Sequence, residues 1–102
     1  MKRKIILLCA GGMSTGMLVK QMEKYAASIG YDCTIAAYGK EMAKSKASDA
    51  DIVLIGPQIK FALEEVKKEI PGVPVEVKGM QDYGMQKADV FIEKCRERLG
   101  DK

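Results

Sequence analysis

Eight consecutive residues near the start of the chain combine one thiol, three glycines and two hydroxyl side chains. They are Cys9, Ala10, Gly11, Gly12, Met13, Ser14, Thr15 and Gly16. Glycines allow the backbone to turn sharply, so that several N–H groups point to one place. A helix that begins near Ser14 would add its unpaired N–H groups and the positive end of its dipole. The pattern therefore predicts a phosphate-binding loop with Cys9 as its first residue.

Cys9 has two interpretations at this point. The N–H groups that would bind phosphate would also stabilise a thiolate, which makes Cys9 a nucleophile. Alternatively, Cys9 is the last apolar residue of a buried strand and serves only in packing. The glycine-rich loop favours the nucleophile, whereas Cys33 in a strand and Cys95 on an apolar helical stripe are predicted to be packing residues. The chain has no histidine, the commonest metal ligand and general base, and we expect no metal or other cofactor.

Short apolar runs alternate with amphipathic stretches along the whole chain. The runs predict four strands, at residues 4–9, 33–38, 51–55 and 73–77. The stretches predict a helix from about residue 14 to Gly30, a weaker helix over 39–49, a helix over 57–70, and a last helix after the loop 78–84. Strands that alternate with helices predict an α/β domain with a parallel sheet and helices on both faces.

The order of the strands predicts where a ligand binds. Right-handed crossovers in so short a chain favour a four-stranded sheet of order 2-1-3-4. In that order the chain changes direction across the sheet between the first and third strands, and ligands bind beyond their carboxyl ends. The loop after Cys9 and the segment Gly56-Pro57-Gln58 are both expected there. We expect residues 1–102 to form one domain.

The composition argues against several classes of function. The net charge is +3, with no tryptophan and two phenylalanines, which does not favour nucleic-acid binding. The longest apolar run, residues 5–10, is far too short to span a membrane, and we expect a cytoplasmic protein. The basic cluster at residues 2–4 is either an arm for an acidic partner or the solvated start of a strand, and the second is favoured.

The position of Cys9 resembles that of the nucleophile in low-molecular-weight tyrosine phosphatases and the related arsenate reductases. Those enzymes have a cysteine at the end of the first strand and, six positions later, an arginine that binds the phosphoryl oxygens. The sixth residue after Cys9 is Thr15, which has no guanidinium to stabilise the transition state of hydrolysis. We expect the same fold, with a site that accepts a phosphoryl group and holds it without transferring it to water.

A longer resemblance is to the IIB components of the phosphoenolpyruvate-dependent sugar phosphotransferase system, of the lactose/cellobiose (chitobiose) class. The residues that carry it are ILLCAGGMSTGMLVKQM at 6–22, ADIVLIGPQI at 50–59, PVEVK at 74–78 and Tyr83-Gly84. The resemblance implies that Cys9 accepts a phosphoryl group from a phosphohistidine of the IIA protein. It then passes the group to a sugar of the cellobiose, lactose or chitobiose class during uptake by the membrane permease IIC. The implied protein is a phosphotransferase, monomeric when free, that docks transiently on the permease.

The same resemblance implies roles for individual residues. It places around the phosphocysteine the backbone and side chains of Ala10, Gly11, Gly12, Met13, Ser14, Thr15 and Gly16. Gln58 either supports the phosphoryl group from the opposite side or is an exposed polar residue at a helix start. Tyr83 either flanks the crevice or packs against the last helix. Met17 either offers an adaptable apolar contact to the partners or packs against the sheet.

Three other functions remain open on the residues alone. A phosphatase or arsenate reductase is disfavoured by Thr15. A receiver-like regulator needs acidic residues at the end of the first strand to bind magnesium, where this chain has Leu7, Leu8 and Cys9. A flavin-binding variant of the same fold would be yellow on purification.

Overall fold

A computed structural model describes residues 3–9, 13–77 and 88–100 of the 102-residue chain. The strands in these ranges are β1 (Arg3–Cys9), β2 (Cys33–Gly39), β3 (Ile52–Ile55) and β4 (Val75–Val77). They form a four-stranded sheet in the order β2-β1-β3-β4, in which neighbouring strands are parallel. The predicted order and orientation of the strands are confirmed.

Helices lie on both faces of this sheet, which is also as predicted. One face carries α1 (Met13–Ser28) and α4 (Ala88–Leu99), and the other carries α2 (Ala43–Lys46) and α3 (Leu63–Glu69). A short 3-10 helix precedes each of the latter two, at Lys40–Met42 and at Pro57–Ala62. Among the described residues, no helix combines the length and the apolar character that crossing a membrane requires.

The continuous apolar run of β1 is explained by burial on both sides of the sheet. Ile5 and Leu7 pack with residues of α1 and α4, whereas Ile6 and Leu8 pack with residues of α2 and α3. All four side chains are at most 3% exposed. A strand that is covered on both faces has no solvent side, so polar residues do not alternate with the apolar ones.

Two predicted helices are shorter or less regular than the sequence pattern indicates. The helix expected over 39–49 begins one residue later, because Gly39 still belongs to β2 and pairs with Cys9. It consists of a 3-10 turn followed by one α-helical turn. The helix expected over 57–70 is interrupted at Ile59, whose φ of −123° and ψ of 29° are not helical. The Ile59 N–H donates to the Gly56 carbonyl in a tight turn (3.1 Å), and its side chain is buried against the sheet.

The last strand is also shorter than predicted. It begins at Val75 rather than at Val73. Pro74 has no N–H group to donate to a neighbouring strand, and it contributes only its carbonyl oxygen, which accepts the N–H of Val53 (2.9 Å). Regular pairing therefore starts one residue later.

Charged groups join β1 to the start of β3 at the amino-terminal edge of the sheet. The Asp51 carboxylate accepts the backbone N–H of Lys4 (2.7 Å) and lies 3.6 Å from the Arg3 guanidinium. The Lys4 ammonium donates to Asp49 (2.7 Å), and this hydrogen bond lowers the pKa of the Asp49 carboxyl. These intramolecular pairs favour the structural interpretation of the basic cluster, of which Lys2 lies outside the described residues.

Candidate functional site

Cys9 is the last residue of β1, an inner strand of the sheet. On one side it is in register with Gly39, the last residue of β2. On the other side, the N–H of Gly56, directly after β3, donates to the carbonyl oxygen of Leu8 (3.0 Å). The carboxyl ends of three parallel strands therefore meet beside Cys9, at the switch in chain direction where open α/β sheets bind ligands.

The first turn of α1 follows Cys9 closely. The helix begins at Met13, and no acidic side chain lies in its first turn. The unpaired N–H groups and the positive end of the helix dipole are therefore not neutralised by a carboxylate of the same turn. Among the described residues, none has an atom within 4 Å of a Cβ added at Gly16. A helix start of this kind beside a strand end is suited to bind phosphate.

Packing along the length of α1 fixes where its amino terminus lies. Leu18 and Met22 are buried between the helix and the sheet. Further along, the Tyr25 hydroxyl donates to the Glu93 carboxylate of α4 (2.6 Å), and this hydrogen bond raises the pKa of Tyr25. Because the helix is held at several points, its first turn has a defined position relative to the end of β1.

The predicted site residues fall into two groups. The structure places the following at the carboxyl edge of the sheet: Cys9, Met13, Ser14, Thr15 and Gly16 at the end of β1 and the start of α1, and Gln58 in the 3-10 helix after β3. Outside the described residues lie Ala10, Gly11, Gly12 and Tyr83. The roles of both groups in binding phosphate stay predictions.

Two large apolar side chains are turned to solvent in the elements that follow β1 and β3. Met17 in α1 is 58% exposed, and Phe61 in the 3-10 helix is 75% exposed. The interpretation of Met17 as packed against the sheet is therefore wrong, which leaves the alternative of an exposed contact residue. Phe61 was not predicted as exposed, although it lies off the apolar stripe that contains Ala62 and Val66.

The two other cysteines lie away from the carboxyl edge. Cys95 is fully buried in the cluster between α4 and the sheet. Cys33 is the first residue of β2, at the opposite end of the sheet, where it lines an open cavity of about 410 Å³. In the part of the chain that the structure describes, no three cysteine or acidic side chains are grouped as metal ligands would be.

Residues 4–94 match the family described as PTS system, Lactose/Cellobiose specific IIB subunit. The chain belongs to this IIB family. A IIB relative from Bacillus subtilis (strain 168), the oligo-beta-mannoside-specific EIIB component, is 47% identical over 85 residues, which cover 81% of this chain and 82% of that protein. The galactose-specific EIIB component of Lactococcus lactis subsp. cremoris is 45% identical over 95 residues, 86% of this chain and 88% of that protein.

Solved structures of IIB components share the fold. The cellobiose-specific IIB component from Borrelia burgdorferi superposes with a TM-score of 0.81 at 33% identity, covering 97% of this chain and 93% of that chain. A more distant relative is longer: the lactose-specific EIICB component of Lactococcus lactis subsp. lactis is 29% identical over 65 residues, 64% of this chain but 11% of that protein. The predicted membership of the lactose/cellobiose IIB class is confirmed, together with its phosphatase-like fold.

Proposed function

We propose that Cys9 carries a phosphoryl group from a phosphohistidine of a IIA protein to a sugar bound by a IIC permease. The observation that carries the proposal is the position of Cys9. It ends β1 where β2 and β3 also end, four positions before the first residue of α1. A thiolate at this point lies next to N–H groups that can bind the oxygens of the phosphoryl group that it receives.

The relay consists of two transfers. The Cys9 thiolate attacks phosphorus, and the S–P bond forms as the P–N bond of the phosphohistidine breaks. The electron pair of the P–N bond goes to that ring nitrogen, and because the other ring nitrogen carries a proton, the partner is left with a neutral imidazole. A sugar hydroxyl then attacks the same phosphorus; the new O–P bond forms as the S–P bond breaks, and the thiolate is regenerated. The chain has no histidine, so the proton of the sugar hydroxyl goes to a group of the permease or to solvent.

The loop residues support binding rather than hydrolysis. The backbone N–H groups of residues 10–16 hold the phosphoryl oxygens, and the hydroxyls of Ser14 and Thr15 add donors. Thr15 supplies no guanidinium for the transition state of attack by water. Gln58 supports the phosphoryl group from the side of β3, and Tyr83 flanks the crevice. A carrier needs these properties, because a phosphocysteine that reacts with water would lose the group before it met the sugar.

The relatives support the two partners and leave the sugar to the permease. One relative, the lactose-specific EIICB component, is named for both its IIC and IIB parts, which supports docking of this chain on a IIC protein at the cytoplasmic membrane face. Relatives of 45–47% identity are named for oligo-beta-mannoside, galactose and cellobiose. Relatives about equally similar to this chain are thus named for different sugars, as expected if IIB touches the sugar only through the phosphoryl group. We propose that residues 1–102 act as one domain, monomeric when free.

Intact-mass spectrometry tests the relay. The protein is incubated with its IIA partner and the general phosphoryl donors of the system, and the mass of this chain is followed. We expect one added phosphoryl group on the wild type and on Cys33→Ser, and none on Cys9→Ser. An unmodified wild type, or a phosphorylated Cys9→Ser variant, would contradict the proposal. Steady turnover of an aryl phosphate at neutral pH would favour a hydrolase instead.

A further inference from the structure

Gly39, the residue paired with Cys9, has space beside it that a neighbouring carboxylate fills. Its φ is not positive; the described glycines with positive φ are Gly30, Gly72 and Gly100. The backbone of a β-strand therefore does not require glycine at this position. A Cβ built on Gly39 would lie 2.8 Å from Oε2 and 2.9 Å from the carboxyl carbon of Glu41. The missing side chain is what admits the carboxylate.

This arrangement brings a negative charge close to Cys9. Neighbouring strands lie about 4.8 Å apart, and Gly39 and Cys9 are in register. The Glu41 carboxyl carbon, 2.9 Å from the Cβ position of Gly39, therefore lies within about 9 Å of the Cys9 Cα. Glu41 lies in the 3-10 helix after β2, an element in which the sequence pattern predicts no functional residue.

We propose that Glu41 weakens the hold of the site on the phosphoryl group, so that phosphocysteine remains able to transfer it. The inference rests on the proposed function. The N–H groups at the start of α1 attract negative charge at Cys9, and a loop that bound phosphate too tightly would stop the relay after its first step. The carboxylate of Glu41 repels the same charge, both on the Cys9 thiolate and on the phosphoryl oxygens. It acts through Cys9 and takes no part in bond making.

The expected effect follows from Coulomb's law. We take the limit of about 9 Å between the Glu41 carboxyl carbon and the Cys9 Cα as the separation of two unit charges. At an effective dielectric constant of about 40, their interaction changes the ratio of charged to neutral Cys9 about fivefold. Replacing Glu41 by glutamine should therefore raise the equilibrium constant for forming phosphocysteine about fivefold or more, since the phosphoryl group carries more than one charge. The larger fraction of thiolate should accelerate alkylation of Cys9, but only about twofold, because a more stable thiolate is also a weaker nucleophile.

The experiment compares Glu41→Gln with Glu69→Gln, in which an exposed carboxylate at the end of α3 is removed. Two quantities are measured: the phosphorylated fraction at a fixed ratio of phosphorylated to free IIA, and the rate at which iodoacetamide modifies Cys9, followed by peptide mass mapping. We expect the phosphorylated fraction and the iodoacetamide rate to rise in Glu41→Gln. In Glu69→Gln we expect both quantities to equal those of the wild type. In about 1 M salt the Debye length is about 3 Å, so the difference between Glu41→Gln and the wild type should largely disappear. A purely structural effect of the substitution would persist in salt.

Gly39→Ala provides an independent test of geometry. The added methyl group displaces the Glu41 carboxylate, whose exposed side chain is able to swing away. We therefore expect the phosphorylated fraction and the alkylation rate to rise as in Glu41→Gln, although Glu41 itself is retained. Adding Glu41→Gln to Gly39→Ala should then have little further effect. The inference would be overturned if Glu41→Gln had the phosphorylated fraction and alkylation rate of the wild type, or if its difference from the wild type did not depend on salt. It would also be overturned if the effects of Glu41→Gln and Gly39→Ala were fully additive. If the wild type takes up no phosphoryl group, the proposed function fails, while the iodoacetamide rates still test the role of Glu41.

Discussion

The carboxylate of Asp51 should contribute to stability far more than that of Asp49, although both make hydrogen bonds of 2.7 Å to the same residue. Asp51 accepts the partly buried backbone N–H of Lys4, and it also lies 3.6 Å from the Arg3 guanidinium. In Asp51→Ala the N–H loses its acceptor. A hydrogen bond to a charged group is worth about 1.5–3 kcal/mol and a half-exposed ion pair about 0–1 kcal/mol. For a partly buried site we expect a loss of about 2 kcal/mol.

Asp49→Ala is the matched control. The Asp49 carboxylate bonds to the Lys4 ammonium, and its side chain is 71% exposed. Water replaces the lost contact of the ammonium, and holding a long lysine side chain in one geometry costs conformational entropy. The free energy of unfolding should therefore remain that of the wild type within experimental error. Asp51→Asn, which keeps an acceptor oxygen but loses the charge, should lie between the wild type and Asp51→Ala.

Urea unfolding followed by far-ultraviolet circular dichroism measures these differences. Asp51→Ala should lower the midpoint with an unchanged slope, since the surface exposed on unfolding is the same. In thermal unfolding, a loss of about 2 kcal/mol corresponds to a Tm lower by about 8–16 °C for a domain of this size. If Asp49→Ala proved as destabilising as Asp51→Ala, or if Asp51→Ala matched the wild type, the distinction between a buried backbone donor and an exposed ammonium would be refuted.

Three further predictions concern packing and titration. Phe91→Ala should reduce the free energy of unfolding by about 3–5 kcal/mol in urea, because it leaves a cavity in a fully buried cluster. Lys4→Met should raise the lowered pKa of Asp49 towards its ordinary value in a carbon-13 NMR titration; the contribution of this exposed pair to stability, too small to be resolved in urea unfolding, is present above the ordinary pKa and is lost as the pH falls through the lowered one. Glu93→Gln should return the raised pKa of Tyr25 towards its ordinary value in a phenolate absorbance titration; that contribution is present below the ordinary pKa and is lost as the pH rises through the raised one.

The sequence by itself determined the architecture and the position of the candidate nucleophile. The unbroken apolar runs of β1 and β3 require cover on both faces, and the alternation of strands and helices requires right-handed parallel crossovers. These local rules are enough to place Cys9 and the start of α1 at the edge of the sheet where ligands bind. The predictions were less accurate for the 3-10 segment at Ile59 and the short β4, where one buried side chain or one missing N–H overrides the periodic pattern.

Only the tertiary structure decided which polar groups meet. Lys4 and Asp51 are 47 residues apart in the chain, and no periodicity links them; they meet because β1 and β3 are neighbours in the sheet. The exposure of Met17 likewise depends on which side of α1 faces the sheet. The contact of Glu41 with Gly39 becomes relevant to Cys9 only through the register of β1 and β2. Chemistry at the site depends on distances across strands, and these are set by packing rather than by the local sequence.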